Sequence, residues 1–185
     1  MSTDPTPAVA TSDVESDSAP KQSLLPIALS VAAAVLILDQ FTKWLAVTYL
    51  EGKPPVEVVG SVLKFTFVRN PGAAFSLGGG YTIIFSLLAA AVAIVIVRTA
   101  RSLGSKAWAV ALGGLLGGAL GNLLDRIFRE PGFLRGHVVD FIQLPYWAIF
   151  NVADMAVVCS AVLIVILTLR GVPLRSLDHI IRLSR

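Results

Sequence analysis

Four long apolar runs leave this chain few ways to fold. A helix that crosses the hydrocarbon of a bilayer needs about 20 predominantly apolar residues, because it rises only about 1.5 Å per residue. Residues 24–50, 81–100, 107–128 and 147–169 each meet that length. Hydrophobic residues make up 55% of the chain and the mean hydropathy is +0.77, well beyond a water-soluble domain. In lipid every backbone polar group must be satisfied internally, so such runs become helices. The expected fold class is an α-helical membrane protein: a four-transmembrane-helix bundle with a small extracytoplasmic β-sheet cradle. The four-span domain is expected over 24–170.

The ends are different material. The first 20 residues, MSTDPTPAVATSDVESDSAP, carry Asp4, Asp13, Glu15 and Asp17 with no base. They offer too little apolar surface to fold, so 1–23 is expected to be a disordered acidic tail. A cleavable signal peptide is not expected, since a positive n-region is missing. At the other end, PLRSLDHIIRLSR spaces Leu174, Leu177, Ile180 and Ile181 opposite Arg175, Asp178 and Arg182. That pattern predicts a basic helix lying on the membrane surface over 171–185.

Lys and Arg set the orientation. Arg98, Arg101 and Lys106 join spans two and three, and Arg170, Arg175, Arg182 and Arg185 follow span four. Both groups belong on the cytoplasmic side, so both termini are expected there. The net charge of +3 divides into −4 on the tail and +7 on the rest. Topology accounts for those bases. No basic run interleaves with aromatics, so nucleic acid is not an expected partner.

The segment 51–80, placed outside, holds LKFTFVRN, which alternates Leu63, Phe65 and Phe67 with Lys64, Thr66 and Val68. This is a strand pattern ended by Asn-Pro-Gly at 70–72. Gly78, Gly79 and Gly80 make a hinge into span two.

Ionisable residues inside a membrane are costly and need a reason. Here they crowd toward one leaflet. Asp154 lies about 10 Å below the outer end of span four, and Asn151 one turn shallower. Asn122, Asp125 and Arg126 occupy the last two turns of span three, and Asp39 lies deeper in span one with Lys43 at i+4. Lys43 is placed to pair with Asp39 while snorkelling outward. The inner halves are nearly bare. An ion or proton carrier needs polar groups through both leaflets or a midplane site, so a transporter using Asp39 and Asp154 is disfavoured. Gly113, Gly117 and Gly121, with Gly114 and Gly118, put a small-residue face on span three. It suits close packing within a monomeric bundle rather than a homodimer seam or scaffold. The lone Cys159 sits in VVCSAVLIVIL and reads as a small hydrophobe.

The stretch HVVDFIQLPYWAIFNVADM places Asp140 before span four and Asp154 within it. Pro145 bends the chain, and Tyr146 and Trp147 belong at headgroup level. A hairpin-like return would fold Asp140 back over Asp154. Asp39 has Lys43 and Asp125 has Arg126 and Arg129, whereas Asp140 and Asp154 have no dedicated cation. Two such carboxylates do not both ionise easily, so one keeps a proton. One ionised and one protonated Asp can activate water and protonate a leaving amine. The residues alone support that dyad and a merely structural polar pair equally. A metal held by His137, Asp140 and Glu130 is a weaker alternative.

The set DQFTK (39–43), VRNPGAAFS (68–76), GNLLDR (121–126), VVDFI (138–142) and FNVADM (150–155) resembles lipoprotein signal peptidase, also called signal peptidase II. The resemblance covers roughly 24–170. It implies a metal-free, cofactor-free aspartyl endopeptidase of the bacterial inner membrane that meets lipid on every side. Its implied substrate is a prolipoprotein whose cysteine already carries a diacylglyceryl group, cut just before that cysteine, and its implied inhibitor is globomycin. By the same resemblance Asp140 and Asp154 are catalytic. Asn70, Asn122, Arg126 and Asn151 line the site, and Asp39, Lys43 and Asp125 are structural. REPGFLRG, between GNLLDR and HVVDF, is longer than the family's usual connection.

Overall fold

The computed structural model describes residues 23–72 and 82–175. The acidic tail, the Gly78–Gly80 hinge and the surface helix beyond residue 175 lie outside these residues. Four helices and three strands follow in the order α1 (Leu25–Leu50), β1 (Val56–Val59), β2 (Leu63–Asn70), α2 (Thr82–Ala100), α3 (Lys106–Phe128), β3 (Val138–Gln143) and α4 (Val152–Leu169).

Three of the helices, α1, α3 and α4, are long and apolar enough to cross a membrane. The apolar stretch of α2 among the described residues is Ser86–Ala100, shorter than the other three. Pro26 opens α1, where its missing N–H costs nothing. Ser105 caps α3 by accepting from the Trp108 N–H. The indole of Trp108 in turn donates to the Val172 carbonyl at 3.0 Å. Leu174 is half-buried against the bundle core.

Helix α3 is the axis of the bundle, and its glycines explain why. They serve two faces, not the single face expected from their spacing. A Cβ at Gly113 or Gly117 would lie 2.5 or 2.7 Å from the carbonyl oxygens of Ala28 and Ala32 on α1. A Cβ at Gly118 would lie 2.5 Å from the Ala153 carbonyl on α4, and one at Gly114 would strike Ser160. Gly121 touches both sides, at Asp39 and Ala153. Hydrophobic burial does little to bring helices together in lipid, so this backbone-level approach is the main source of contact. It also brings polar side chains of three helices within hydrogen-bonding reach.

The strands form one antiparallel sheet in the order β1-β2-β3. Among the described residues the expected cradle in 51–80 supplies β1 and β2. The third strand comes from VVDFIQ, so Asp140 sits in a strand and not in a loop. Val138, Val139, Asp140 and Phe141 are all buried. A strand covered on both faces shows no alternation. In the β2–β3 register Val68 faces Asp140 and Asn70 faces Val138. A second small core, Ala46, Val139 and Phe141 with Leu50, Phe65 and Val152 against them, seats the sheet on the end of α1.

The return from β3 to α4 is a hairpin. Phe150 N–H donates to the Ile142 carbonyl at 3.0 Å, and Ile142 N–H donates back at 2.8 Å. Tyr146 takes φ +60° at the bend, with its ring fully exposed. The helix therefore begins at Val152, not at 147. Asn151 is its cap rather than a residue within it, and Asp154 lies in its first turn rather than two turns inside.

Candidate active site

The site is assembled from one strand pair and three helix ends. Asn151 caps α4 through a reciprocal box: its side-chain oxygen accepts from Asp154 N–H at 3.0 Å, and Asp154 Oδ2 accepts from Asn151 N–H at 3.1 Å. The cap leaves the Asn151 amide Nδ2 free to donate elsewhere. It donates to Asp140 Oδ1 at 2.6 Å and to Asn122 Oδ1 at 3.1 Å. Asn70, at the end of β2, donates to Asp140 Oδ2 at 2.8 Å. Asn122 donates to Asp154 Oδ1 at 2.8 Å.

All four carboxylate oxygens of Asp140 and Asp154 thus accept from amide N–H groups, and Asn151 joins the two acids. Neither acid forms an ion pair among the described residues. Asp140 is 2% exposed. Its burial pushes its carboxyl up to about 6, helped by the charge of Asp154 and opposed by the donors Asn70 and Asn151 and by the Lys43 charge.

Asp39 and Asp125 sit in a different environment. Lys43 Nζ is 2.9 Å from Asp39 Oδ2, 2.9 Å from Asp125 Oδ2 and 2.9 Å from Asn122 Oδ1. Lys43 is fully buried, so it does not snorkel outward. Three polar partners hold it in place. Arg129 Nε lies 2.6 Å from Asp125 Oδ1. Arg126, expected as the immediate partner of Asp125, instead turns a buried Nη1 that has no hydrogen-bond partner among the described residues. Asp140, Asp125 and Asp154 are the acids whose charge it feels.

One member of the network was missing from the sequence reading. Gln40 Nε2 donates to the Gly121 carbonyl at 3.0 Å and to Asp39 at 3.1 Å. A second polar residue beside Asp39 in an apolar run was the available signal. His137 lines an open cavity of about 510 Å³ with Arg69, Glu130 and Pro131. Among the described residues no three His, Cys, Asp or Glu side chains gather as metal ligands would.

Comparison with known proteins gives the family of the chain. The family profile described as Signal peptidase (SPase) II matches residues 31–170. A lipoprotein signal peptidase of Streptomyces griseus is 52% identical over 151 residues, covering 82% of this chain and 76% of that one. The enzyme of Mycolicibacterium smegmatis is 52% identical over 159 residues, covering 86% and 67%. A bacterial membrane enzyme solved by the in meso method superposes with a TM-score of 0.69 at 31% identity, covering 78% of this chain and 93% of that one. This chain is a multi-pass membrane protein, and it belongs to the signal peptidase II family of aspartyl peptidases.

Proposed function

We propose that this protein removes signal peptides from diacylglyceryl-modified prolipoproteins, cutting before the lipidated cysteine, and that Asp140 and Asp154 perform the hydrolysis. The observation that carries this reading is the pair itself: two carboxylates joined through Asn151 and held by amides, with no ion pair on either among the described residues. Asp140 is the member suited to keep a proton, because burial disfavours its ionised form. Asp154 is then the base. It takes a proton from water as the oxygen attacks the scissile carbonyl, and Asp140 gives its proton to the departing amine.

The amides have separate duties. Asn70 and Asn151 orient Asp140, while Asn122 and Asn151 orient Asp154, so neither acid rotates away from the reacting carbonyl. The Nη1 of Arg126, without a hydrogen-bond partner among the described residues, is a donor ready for the substrate, and a carbonyl oxygen that gains charge in the transition state is its natural acceptor.

Four spans complete the bundle in this reading, with α2 crossing alongside the other three. Both termini are cytoplasmic, and the sheet lies over the outer leaflet as a cradle for the extended chain around the scissile bond. The protein works as a monomer, surrounded by the lipid that also carries its substrate.

The test is product mass. Purified protein in lipid should release signal peptide from a diacylglyceryl prolipoprotein, leaving a product that begins at the modified cysteine. An unlipidated precursor should be cut far more slowly. Equal cleavage of both, or cleavage elsewhere, would remove lipid from the account. Activity undiminished by a chelator is also expected.

A further inference from the structure

Asp39 and Asp125 make backbone contacts that an ion pair alone does not require. Asp39 Oδ1 accepts from the Ala153 N–H at 2.9 Å, and Ala153 directly precedes Asp154. Asp125 Oδ2 accepts from the Val139 N–H at 3.2 Å, and Val139 directly precedes Asp140. Each structural carboxylate therefore grips the peptide group beside one acid of the dyad. Lys43 lies between the two grips, bonded to both carboxylates. Its third bond goes to Asn122 Oδ1, which also accepts from Asn151. With that oxygen occupied, the Asn122 amide can only turn its N–H group toward Asp154, where it donates at 2.8 Å.

We propose that Lys43 is a positioning residue for both acids: it holds Asp39, Asp125 and Asn122, and through them fixes the backbone before Asp154, the backbone before Asp140 and the Asp154 side chain. The proposal rests on the reading of Asp140 and Asp154 as the dyad.

The electrostatics follow from the geometry. Gln40 reaches both Asp39 Oδ2 at 3.1 Å and Asp125 Oδ1 at 3.4 Å, so these two carboxylates lie close together in a buried place. Without Lys43 they repel, and Gln40 has no charge to hold them. Each would relax away from its backbone grip. Arg129 retains Asp125 in part, but nothing replaces the cation at Asp39. The consequence reaches the reacting atoms without Lys43 touching substrate.

Lys43→Met keeps the length of the side chain and removes its three bonds. In lipid, with diacylglyceryl prolipoprotein as substrate, kcat should fall on the order of 100-fold, the scale of a displacement of about 1 Å in a catalytic group. KM should stay within about twofold, because no substrate contact is lost. The groups facing Asp140 are Asn70 on β2, Asp154 and Asn151 at α4, Arg126 and Asp125 on α3, and Lys43 on α1. Of these only Lys43 changes, so the basic limb of the kcat/KM profile should move to higher pH. Lys43→Met combined with Asp39→Asn removes a buried pair whole and should regain the unfolding temperature lost by Lys43→Met. It should not regain kcat. If Lys43→Met does not fold, this double variant decides the matter.

Lys43→Met at wild-type kcat, or a double variant that recovers kcat along with stability, would overturn the proposal. Should Asp140→Asn and Asp154→Asn also cleave normally, the reading of the dyad fails. If those two are inactive while Lys43→Met is unimpaired, only the positioning role fails.

Discussion

Four aspartates gather at the sheet end of this bundle, and they form two unlike pairs. Asp39 and Asp125 share a buried lysine, and Asp125 also holds Arg129. Among the described residues Asp140 and Asp154 are held by asparagines and a helix cap alone. The same side chain serves two ends according to its partners. A carboxylate bonded to a buried cation is tied into holding structure. A carboxylate held by neutral amides is fixed in direction with no cation bonded to it among the described residues, which suits the proposed hydrolysis.

The comparison breaks most visibly at the locked pair. Asp39→Ala leaves Lys43 with one carboxylate and an unfilled N–H at Ala153, and should cost about 3–5 kcal/mol, as the loss of one partner from a buried ion pair does. Equilibrium unfolding in detergent measures it. A loss below about 1 kcal/mol would place Asp39 among weak surface pairs instead.

The packing that brings the two pairs together comes next. Gly118→Leu must push aside the Ala153 carbonyl. Overpacking of this kind costs about 1–3 kcal/mol, and here it also shifts the first turn of α4. Cleavage should fall more than stability does, and unfolding curves read beside initial rates will show it.

The pH dependence sharpens the unlocked pair. Asp140 holds its proton up to about pH 6 in the folded protein, against an ordinary value near 3.8. Its contribution to stability is thus fully present below about 3.8 and lost as pH rises through about 6. The free enzyme needs the same proton, so kcat/KM should decline as pH climbs through about 6. A decline centred near 4 would mean Asp140 is not the group that carries it.

The smallest effect belongs to the rim. Lys64 and Glu57 pair at 2.7 Å but are 30% and 57% exposed. Lys64→Ala should cost less than about 1 kcal/mol and leave cleavage unchanged.

The sequence made much of this division visible. Apolar length marked the helices, and a chain-local rule separated Asp39 with its i+4 lysine from Asp140 and Asp154 with none. Four things were hidden, each for a physical reason. The strand around Asp140 is buried on both faces, so it lacked the alternation that exposed β2 to view. The start of α4 was placed at Trp147 because apolar content continues there, while the end of the hairpin and the Asn151 cap set the true boundary. The burial of Lys43 depends on Asp125 and Asn122, which reach it from a helix far along the chain. No spacing within DQFTK reports such partners. The two glycine faces merged into one in sequence because glycines at 113, 114, 117 and 118 form adjacent pairs one turn apart, and only the neighbours α1 and α4 separate them.

The central claim is that the cation-free pair does the chemistry. Its most direct test is the cleavage rate of a diacylglyceryl prolipoprotein by Asp140→Asn and Asp154→Asn proteins that insert and unfold like the wild type. The account predicts a fall of about 100- to 10,000-fold for each, the range a general acid or base supplies. Either variant cleaving at the wild-type rate would contradict it.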